Sequence, residues 1–470
     1  MAESLSEWNL EQGRFREQAM DKPAARVMTA NRTQLEWRSV DLEGSLPPDH
    51  RARAVWAFVE ALDLGPLYEQ IQAVEGVAGH PAIDPRILVA LWLYATLEGV
   101  GSARALERLC EAHDAYRWIC GGVGVNHHTL SDFRVAQVEF LDRLLTQSVA
   151  ALLASGTMRM NRVAQDGVRV RANAGASSFR RRPKLEHYLA EAQAQVAALK
   201  QELDADPGAS NRRQQAARER AARERKQRVQ QALDELHTIE VHRAKSDTPK
   251  RARKAKPTPP PDEVAGSAES SKAKAKRPGQ PRTSTTDPEA RVMKGPDGGF
   301  RPSYNVQLVT DVETQCVVAV DVSNQGTDQG LLEPMLEQLG QRYGRCPPEM
   351  LVDGGFATVD GIQATAGSDS RIYAPVKPPK NPRNDPYRPR RSDSKAVAEW
   401  RARMATPEAK VVYKQRASTA ECVNAQARNR GLRQFLVRGK LKAKAIVLWY
   451  ALAHNLSRMM NPKIRVALAT

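Results

Sequence analysis

The sequence predicts a mixed five-stranded α/β domain, preceded by an all-α region and interrupted after its first strand by a helical hairpin. Three observations carry that expectation. Five short stretches alternate or run apolar as strands do, and a helical stripe separates the third from the fourth. Ahead of them, residues 51–157 show only helical patterning. After the first strand, about a hundred residues leave strand patterning altogether.

Residues 1–50 are polar with scattered prolines and read as a mostly irregular arm. Helices begin with Ala54 to Val59. Asp84-Pro85-Arg86 is a helix start with proline at the first helical position. Ile87 to Ala95 is apolar nearly all round, so it should be the buried centre of the helical region. Ser102 to Cys110 and Asp114 to Ile119 add two short helices, and another runs from Thr129 to about Leu153. Cys110, His113 and Cys120, with His127 and His128, match no standard zinc spacing and read as core packing.

The first strand, Arg162 to Val170, alternates apolar and polar and carries a single carboxylate, Asp166, followed at once by Gly167. The backbone there has no bulk, so something large could approach Asp166. Leu189, Ala192, Val196, Leu199 and Leu203 then form a coiled-coil seam. Asp206-Pro207-Gly208 breaks it, and a second helix runs from about Asn211 to Val241 with Val229, Leu233 and Leu236 as its stripe. An antiparallel hairpin over 183–243 follows. Its polar face is rich in arginine from Arg212 to Arg228, which a solvated surface explains as well as a nucleic-acid contact does. Residues 244–295 are basic and proline-rich and read as a disordered linker.

Strands resume at Tyr304 to Asp311 and Cys316 to Val322, an antiparallel hairpin, followed by a helix from Thr327 to Tyr343. Met350 to Val352 is a fourth strand, ending in Asp353-Gly354-Gly355. A short helix at Gly361 to Ala366 leads to the fifth strand at Arg371 to Val376. A Pro/Arg-rich loop and a long helical region, Ser394 to Met460, complete the chain and contain Glu421.

Of 470 residues, 41% are hydrophobic, enough for a sizeable core. Five widely spaced cysteines argue against a disulfide framework. The sequence shows neither a signal-peptide pattern nor an apolar run of membrane-spanning length, so a cytoplasmic location away from any membrane is expected. The net charge of +17 is localised: Arg371 to Thr470 holds 23 Lys/Arg against 5 Asp/Glu, net +18, leaving the rest near −1. Such a concentration beside Glu421 favours a polyanionic partner, DNA, over a merely solvated surface.

The order of strands and helices is that of the ribonuclease H-like α/β fold, with a large insertion after its first strand. In that topology the first and fourth strands are neighbours, so Asp166 and Asp353 lie side by side although 187 residues apart, and a later helix brings Glu421 over the same edge. Three carboxylates so placed can hold two divalent ions that activate a nucleophile and stabilise a leaving oxygen at phosphorus. Hard oxygen ligands suit Mg²⁺, with Mn²⁺ as the alternative. Asp311 and Asp321, on the second and third strands, fit that geometry poorly.

Several segments together resemble the DDE transposases of bacterial insertion sequences, in the subgroup with a helical N-terminal domain and a helical insertion after the first catalytic strand. They are Asn126-His127-His128-Thr129-Leu130-Ser131-Asp132-Phe133-Arg134, Ala164-Gln165-Asp166-Gly167, Tyr304-Asn305-Val306-Gln307, Val352-Asp353-Gly354-Gly355-Phe356, and Tyr413 to Glu421. The resemblance spans about Ser45 to Asn461. It implies that Asp166, Asp353 and Glu421 are the catalytic, metal-binding triad of a catalytic domain at 158–182 and 296–462. It further implies binding of terminal inverted repeats, hydrolytic strand cleavage and attack of the freed 3′-hydroxyl on target DNA.

The helix around Glu421 resembles the family's Tyr-Arg-Glu-Lys signature, with Tyr413, Arg416 and Arg428 as DNA-contacting residues and Arg428 replacing the lysine. Four residues rather than three separate Arg416 from Glu421, a departure of one. Arg169 and Arg171 on the first strand are further DNA-contact candidates. The helical region 51–157 is a candidate reader of DNA ends, through a helix-turn-helix-like unit near Thr129 to Arg134 or else simply packed on the catalytic domain. A homodimer or higher oligomer at the nucleoid is expected, since two ends are joined. The competing functions are a catalytically inactive DNA-binding derivative and a ribonuclease H-like nuclease with another substrate.

Overall fold

Side-chain capping fixes where the N-terminal helices start in the computed structural model, which describes Thr33, Asn381 and residues 41–73, 81–205, 212–254, 280–295, 297–379 and 383–460, with side chains left out at 203–213 and 245–254. Contacts divide the chain into two units, Met1–Gly44 and Ser45–Thr470, and the helical region and the sheet both belong to the second. Most of the expected N-terminal arm lies outside the described residues. Helix α1 spans Arg51–Glu60. The Asp84 carboxylate accepts from the Arg86 amide at 2.8 Å and starts α2 (Pro85–Leu97), which is buried at every position except Arg86. Ser102 caps α3 (Ala103–Ala112), His113 caps α4 (Asp114–Cys120), and the Asn126 side chain caps α5 (His127–Ala136) through the Thr129 amide.

The single helix expected from Thr129 to about Leu153 is two, α5 and α6 (Val138–Ala154), broken at Gln137. The carbonyl of Arg134, which a continuing helix would give to the amide four residues on, instead accepts from the Trp449 indole at 3.0 Å. Leu130 and Arg134 both point inward, and the Arg134 guanidinium lies over the Trp92 ring at 4.6 Å. Leu130 and Arg134 thus make up the packing face of α5.

The main sheet is built on β1 (Arg162–Arg171). On one side β1 pairs antiparallel with β5 (Phe300–Asp311), whose outer edge carries β4 (Arg291–Lys294) and, further along, β6 (Val317–Ser323). On the other side β1 pairs parallel with β7 (Glu349–Leu351), and β7 pairs parallel with β8 (Arg371–Tyr373). Apart from the short β4, this order is compatible with a ribonuclease H-like domain behind a helical N-terminal region.

Between β1 and β4 run β2 (Phe179–Arg180), α7 (Arg182–Ala205), α8 (Arg212–Lys254) and β3 (Thr283–Ser284). Arg182 near the start of α7 pairs with Glu240 late in α8, so the helices are antiparallel, with a small separate core of Leu185, Ala232, Leu233 and Leu236. Of the linker expected over 244–295, residues 244–254 continue α8, 280–295 are ordered, and 255–279 lie outside the described residues. Polar anchors hold the returning chain. The Thr283 hydroxyl donates to the Ala232 carbonyl at 2.7 Å, and buried Asp287 accepts from the Tyr304 hydroxyl at 2.7 Å.

Helix α9 (Leu332–Tyr343) follows β6, and α10 (Val359–Ala364) follows β7. The C-terminal helices are α11 (Lys395–Ala405), α12 (Pro407–Arg416), α13 (Cys422–Asn429) and α14 (Lys440–Met459). Helix α14 joins the two halves into one apolar core, with Trp449 against α5 and Asn455 on β6. The Asn455 side chain accepts from the Val317 amide at 2.7 Å and donates to its carbonyl at 2.8 Å, a peptide-like pairing along the outer edge of that strand. Among the described residues no helix is long and apolar enough to cross a membrane.

Candidate active site

The parallel pairing of β1 with β7 sets the site. Arg162, Val163 and Ala164 lie opposite Glu349, Met350 and Leu351. Carrying that register two residues past its last pair brings Asp166 opposite Asp353, on neighbouring chains whose spacing in a sheet is about 4.8 Å. Their charges interact: burial pushes the Asp166 carboxyl up, Arg416 opposes that, and Asp353 adds to it. The turn after β7 fixes Asp353, whose Oδ1 accepts from the Gly355 amide at 2.7 Å and the Phe356 amide at 3.3 Å. A Cβ at Gly355 would stand 2.8 Å from that same oxygen, so a side chain there would push the Asp353 carboxylate out of this turn.

Strand alternation puts Asp166 on one face of β1 and Gln165, Gly167 and Arg169 on the other. On the second face a polar network closes on itself. Asp328 accepts from Asn305 Nδ2 at 2.7 Å and from Gln307 Nε2 at 3.1 Å, and pairs with Arg169 at 3.0 Å. Gln165 Nε2 donates to Gln307 Oε1 at 2.8 Å and to the Leu331 carbonyl at 2.9 Å. Gly167 therefore has a different cause from the one expected. A Cβ there would collide with Asp328 Oδ1 and would lie 2.7 Å from Gln307 Nε2 and 2.9 Å from Asn305 Oδ1. The room it leaves is filled by the protein itself. Arg169, expected to face DNA, is held inside this network, whereas Arg171 at the strand end is exposed.

On the Asp166 face lie α12, the segment after it and α13. Ala417–Glu421 is a π-helical turn, placed where the signature carries its extra residue. In a regular α-helix five residues sweep about 500°, which would leave Arg416 and Glu421 about 140° apart. A π turn closes from i to i+5 and restores their common face. Arg416 Nη2 accordingly donates to Glu421 Oε1 at 3.1 Å, while Arg416 Nη1 lies 3.5 Å from Asp166 Oδ1 without forming a hydrogen bond. Tyr413, half-buried, interacts with the same guanidinium, and burial pushes its phenol up. Arg428, two turns beyond Glu421, is exposed.

One contributor was not expected. Buried Asn424 donates through Nδ2 to Asp166 Oδ2 at 2.8 Å, and its own Oδ1 has no partner. Its position three residues after Glu421, on the same helix face, is the signal that could have found it. Asp328, in the loop after β6, left no comparable trace.

The donor set is right in kind for a hard divalent cation, and two of its corners adjoin. The third does not close. The Glu421 side chain is 59% exposed and turned to Arg416, and among the described residues no three His, Cys, Asp or Glu side chains are grouped to hold a metal.

A mixed sheet in this order, with one carboxylate within β1 and another just past the end of the adjoining parallel β7, fits the class of ribonuclease H-like domains. Residues 40–136 match the family described as Transposase domain (DUF772), and residues 379–460 match the family described as Transposase DDE domain. Together the matches support a DDE transposase of the insertion-sequence type. Tyr413, Arg416, Glu421, Asn424 and Arg428 fall inside the second matched stretch, whereas Asp166 and Asp353 lie outside both. Neither a curated protein nor a solved structure matches the chain significantly.

Proposed function

We propose that this transposase binds the terminal inverted repeats of its element, cuts the DNA and joins the freed end to target DNA, with Asp166, Asp353 and Glu421 as the catalytic carboxylates. The observation that supports the reading is the β1–β7 register, which, carried two residues past Ala164 and Leu351, brings Asp166 opposite Asp353. A pair of Mg²⁺ ions, or Mn²⁺, held there would supply activation of the attacking oxygen and relief of charge on the leaving one. In cleavage, water adds to phosphorus and the P–O3′ bond breaks, leaving a 3′-hydroxyl. In joining, that hydroxyl adds to a target phosphorus and displaces the 3′-oxygen of the target strand.

The chain's own residues position these steps. Asn424 and the β1 backbone orient Asp166, and the Asp353 turn holds its carboxylate at the strand end. Exposed Arg428 and Arg171 are the DNA contacts, with Tyr413 and Arg416 nearer the carboxylates. Residues 158–182 and 296–462 form the catalytic domain, and 183–243 a coiled-coil insertion into it. Residues 51–157 support it as a helical domain, and the working form is a dimer or larger on DNA, in the cytoplasm at the nucleoid.

The test is Mg²⁺-dependent nicking and joining of a duplex carrying an element end. Asp353→Ala should abolish both while leaving DNA binding intact, and unchanged nicking would refute the site. Cut products without joined ones would point to a nuclease with another substrate. A DNA-binding protein without catalysis is the second reading, favoured by the Glu421–Arg416 pair; absence of nicking in the unaltered chain would establish it.

A further inference from the structure

We propose that Arg416 is a built-in counter-cation that keeps the carboxylate site from loading metal in the free protein, and that the site closes around metal only when the guanidinium leaves. The inference rests on the reading of Asp166, Asp353 and Glu421 as metal ligands, and it explains why their third corner stands apart. Arg416 puts one amino group on Glu421 at 3.1 Å and the other 3.5 Å from Asp166. It therefore lies between two of the three carboxylates, where positive charge from a metal would otherwise be held. Its side chain is only 14% exposed, so the positive charge sits in a partly desolvated place where its effect on a second cation is strong.

The hold is incomplete, which is what a releasable contact requires. Nη1 is buried and makes no hydrogen bond, although it faces Asp166. The Asn424 Oδ1 acceptor beside the same carboxylate is also unpartnered. The π turn, the least regular backbone in the C-terminal helices, lies between Arg416 and Glu421 and lets the two side chains meet. A guanidinium forks onto phosphate as readily as onto carboxylate. A DNA phosphate entering over the basic C-terminal region can draw Arg416 off, and the freed Glu421 can then turn toward Asp166 and Asp353. Loading of the metal would follow binding of the DNA.

The experiment titrates the full-length, DNA-free protein with Mn²⁺ and reads free Mn²⁺ by electron paramagnetic resonance. It compares the unaltered chain with Arg416→Gln, Glu421→Gln and the double variant, each checked for an unchanged circular dichroism spectrum. Arg416→Gln should bind Mn²⁺ about tenfold tighter or more, since a like charge within contact distance is removed. That gain should vanish in the Glu421→Gln background, because the gain comes from closing the third corner. Equal or weaker binding by Arg416→Gln overturns the proposal and makes Arg416 a structural prop. A gain that persists without Glu421 also overturns it, reducing the effect to general charge. Failure of the underlying site looks different: no form, Arg416→Gln included, would then bind Mn²⁺ in a way that Asp166→Asn abolishes.

Discussion

Two helical runs of the C-terminal region treat their buried polar groups in opposite ways. Along α14, Asn455 is paired on both sides with Val317, His454 meets the Gln315 carbonyl at 2.8 Å, and no buried side-chain polar atom lacks a partner among the described residues. Along α12, the π turn and α13, Arg416 Nη1 and Asn424 Oδ1 are both left without one. An unpaired buried group costs roughly 1–3 kcal/mol, so a run that carries two is less stable than it could be. The contrast separates a helix that joins the molecule from a run that leaves two buried polar atoms beside Asp166 without a partner.

If α14 is the joining helix, damage there should be expensive. Replacing Asn455 by Ala strands the buried Val317 amide and carbonyl together and should destabilise the protein by about 3–4 kcal/mol in urea unfolding. A loss under about 1 kcal/mol would mean that water satisfies that strand edge and that the pairing matters little.

The same helix should give a pH signature. Burial and the adjacent Arg430 hold His454 neutral, with its pKa pushed down to about 4. The unfolded chain takes up a proton near pH 6.5, which the folded chain refuses until about pH 4. Stability should therefore fall as the pH drops through that window, by up to about 3 kcal/mol. His454→Gln should flatten this part of the curve. If acid lability persists undiminished in that variant, other groups are responsible.

On the unsettled run the expectation reverses: little stability and much activity. Asn424→Ala removes one hydrogen bond but also one orphaned acceptor, so unfolding should shift by less than about 1 kcal/mol. Asp166 loses the amide that orients it, and end nicking should drop about tenfold or more with DNA affinity unchanged. A large stability loss with normal nicking would place Asn424 with the joining residues instead.

The same contrast shows what the sequence could reveal. What register places was legible: the 187-residue offset between Asp166 and Asp353 is also the offset between Arg162 and Glu349 in the paired strands. Helix α2 was legible from an apolar pattern with no polar side. Side-chain networks were not, because nothing in the alternation of β1 says which polar partner fills the space above Gly167 or that Arg169 is spent on Asp328. The extra residue before Glu421 was visible as a count, but only backbone geometry turns it into a π turn that preserves the face. Residues 280–295 read as linker because their order comes from single polar anchors such as Asp287, not from periodic burial.

The smallest effect concerns the outermost member of the unsettled run. Arg428 is exposed two helical turns beyond Glu421, and among the described residues its side chain has no ion-pair partner. If it contacts a DNA phosphate, Arg428→Gln should weaken binding about equally for every duplex sequence. It should also lower the slope of log affinity against log salt by about one, because one fewer counterion is released. Arg169→Gln should behave in the opposite way, leaving that slope alone while costing stability, since Arg169 is paired inside the protein with Asp328 at 3.0 Å. Measuring both variants at several salt concentrations distinguishes a cation that serves DNA from one that serves the fold, and equal slopes for the two would erase the distinction drawn between them.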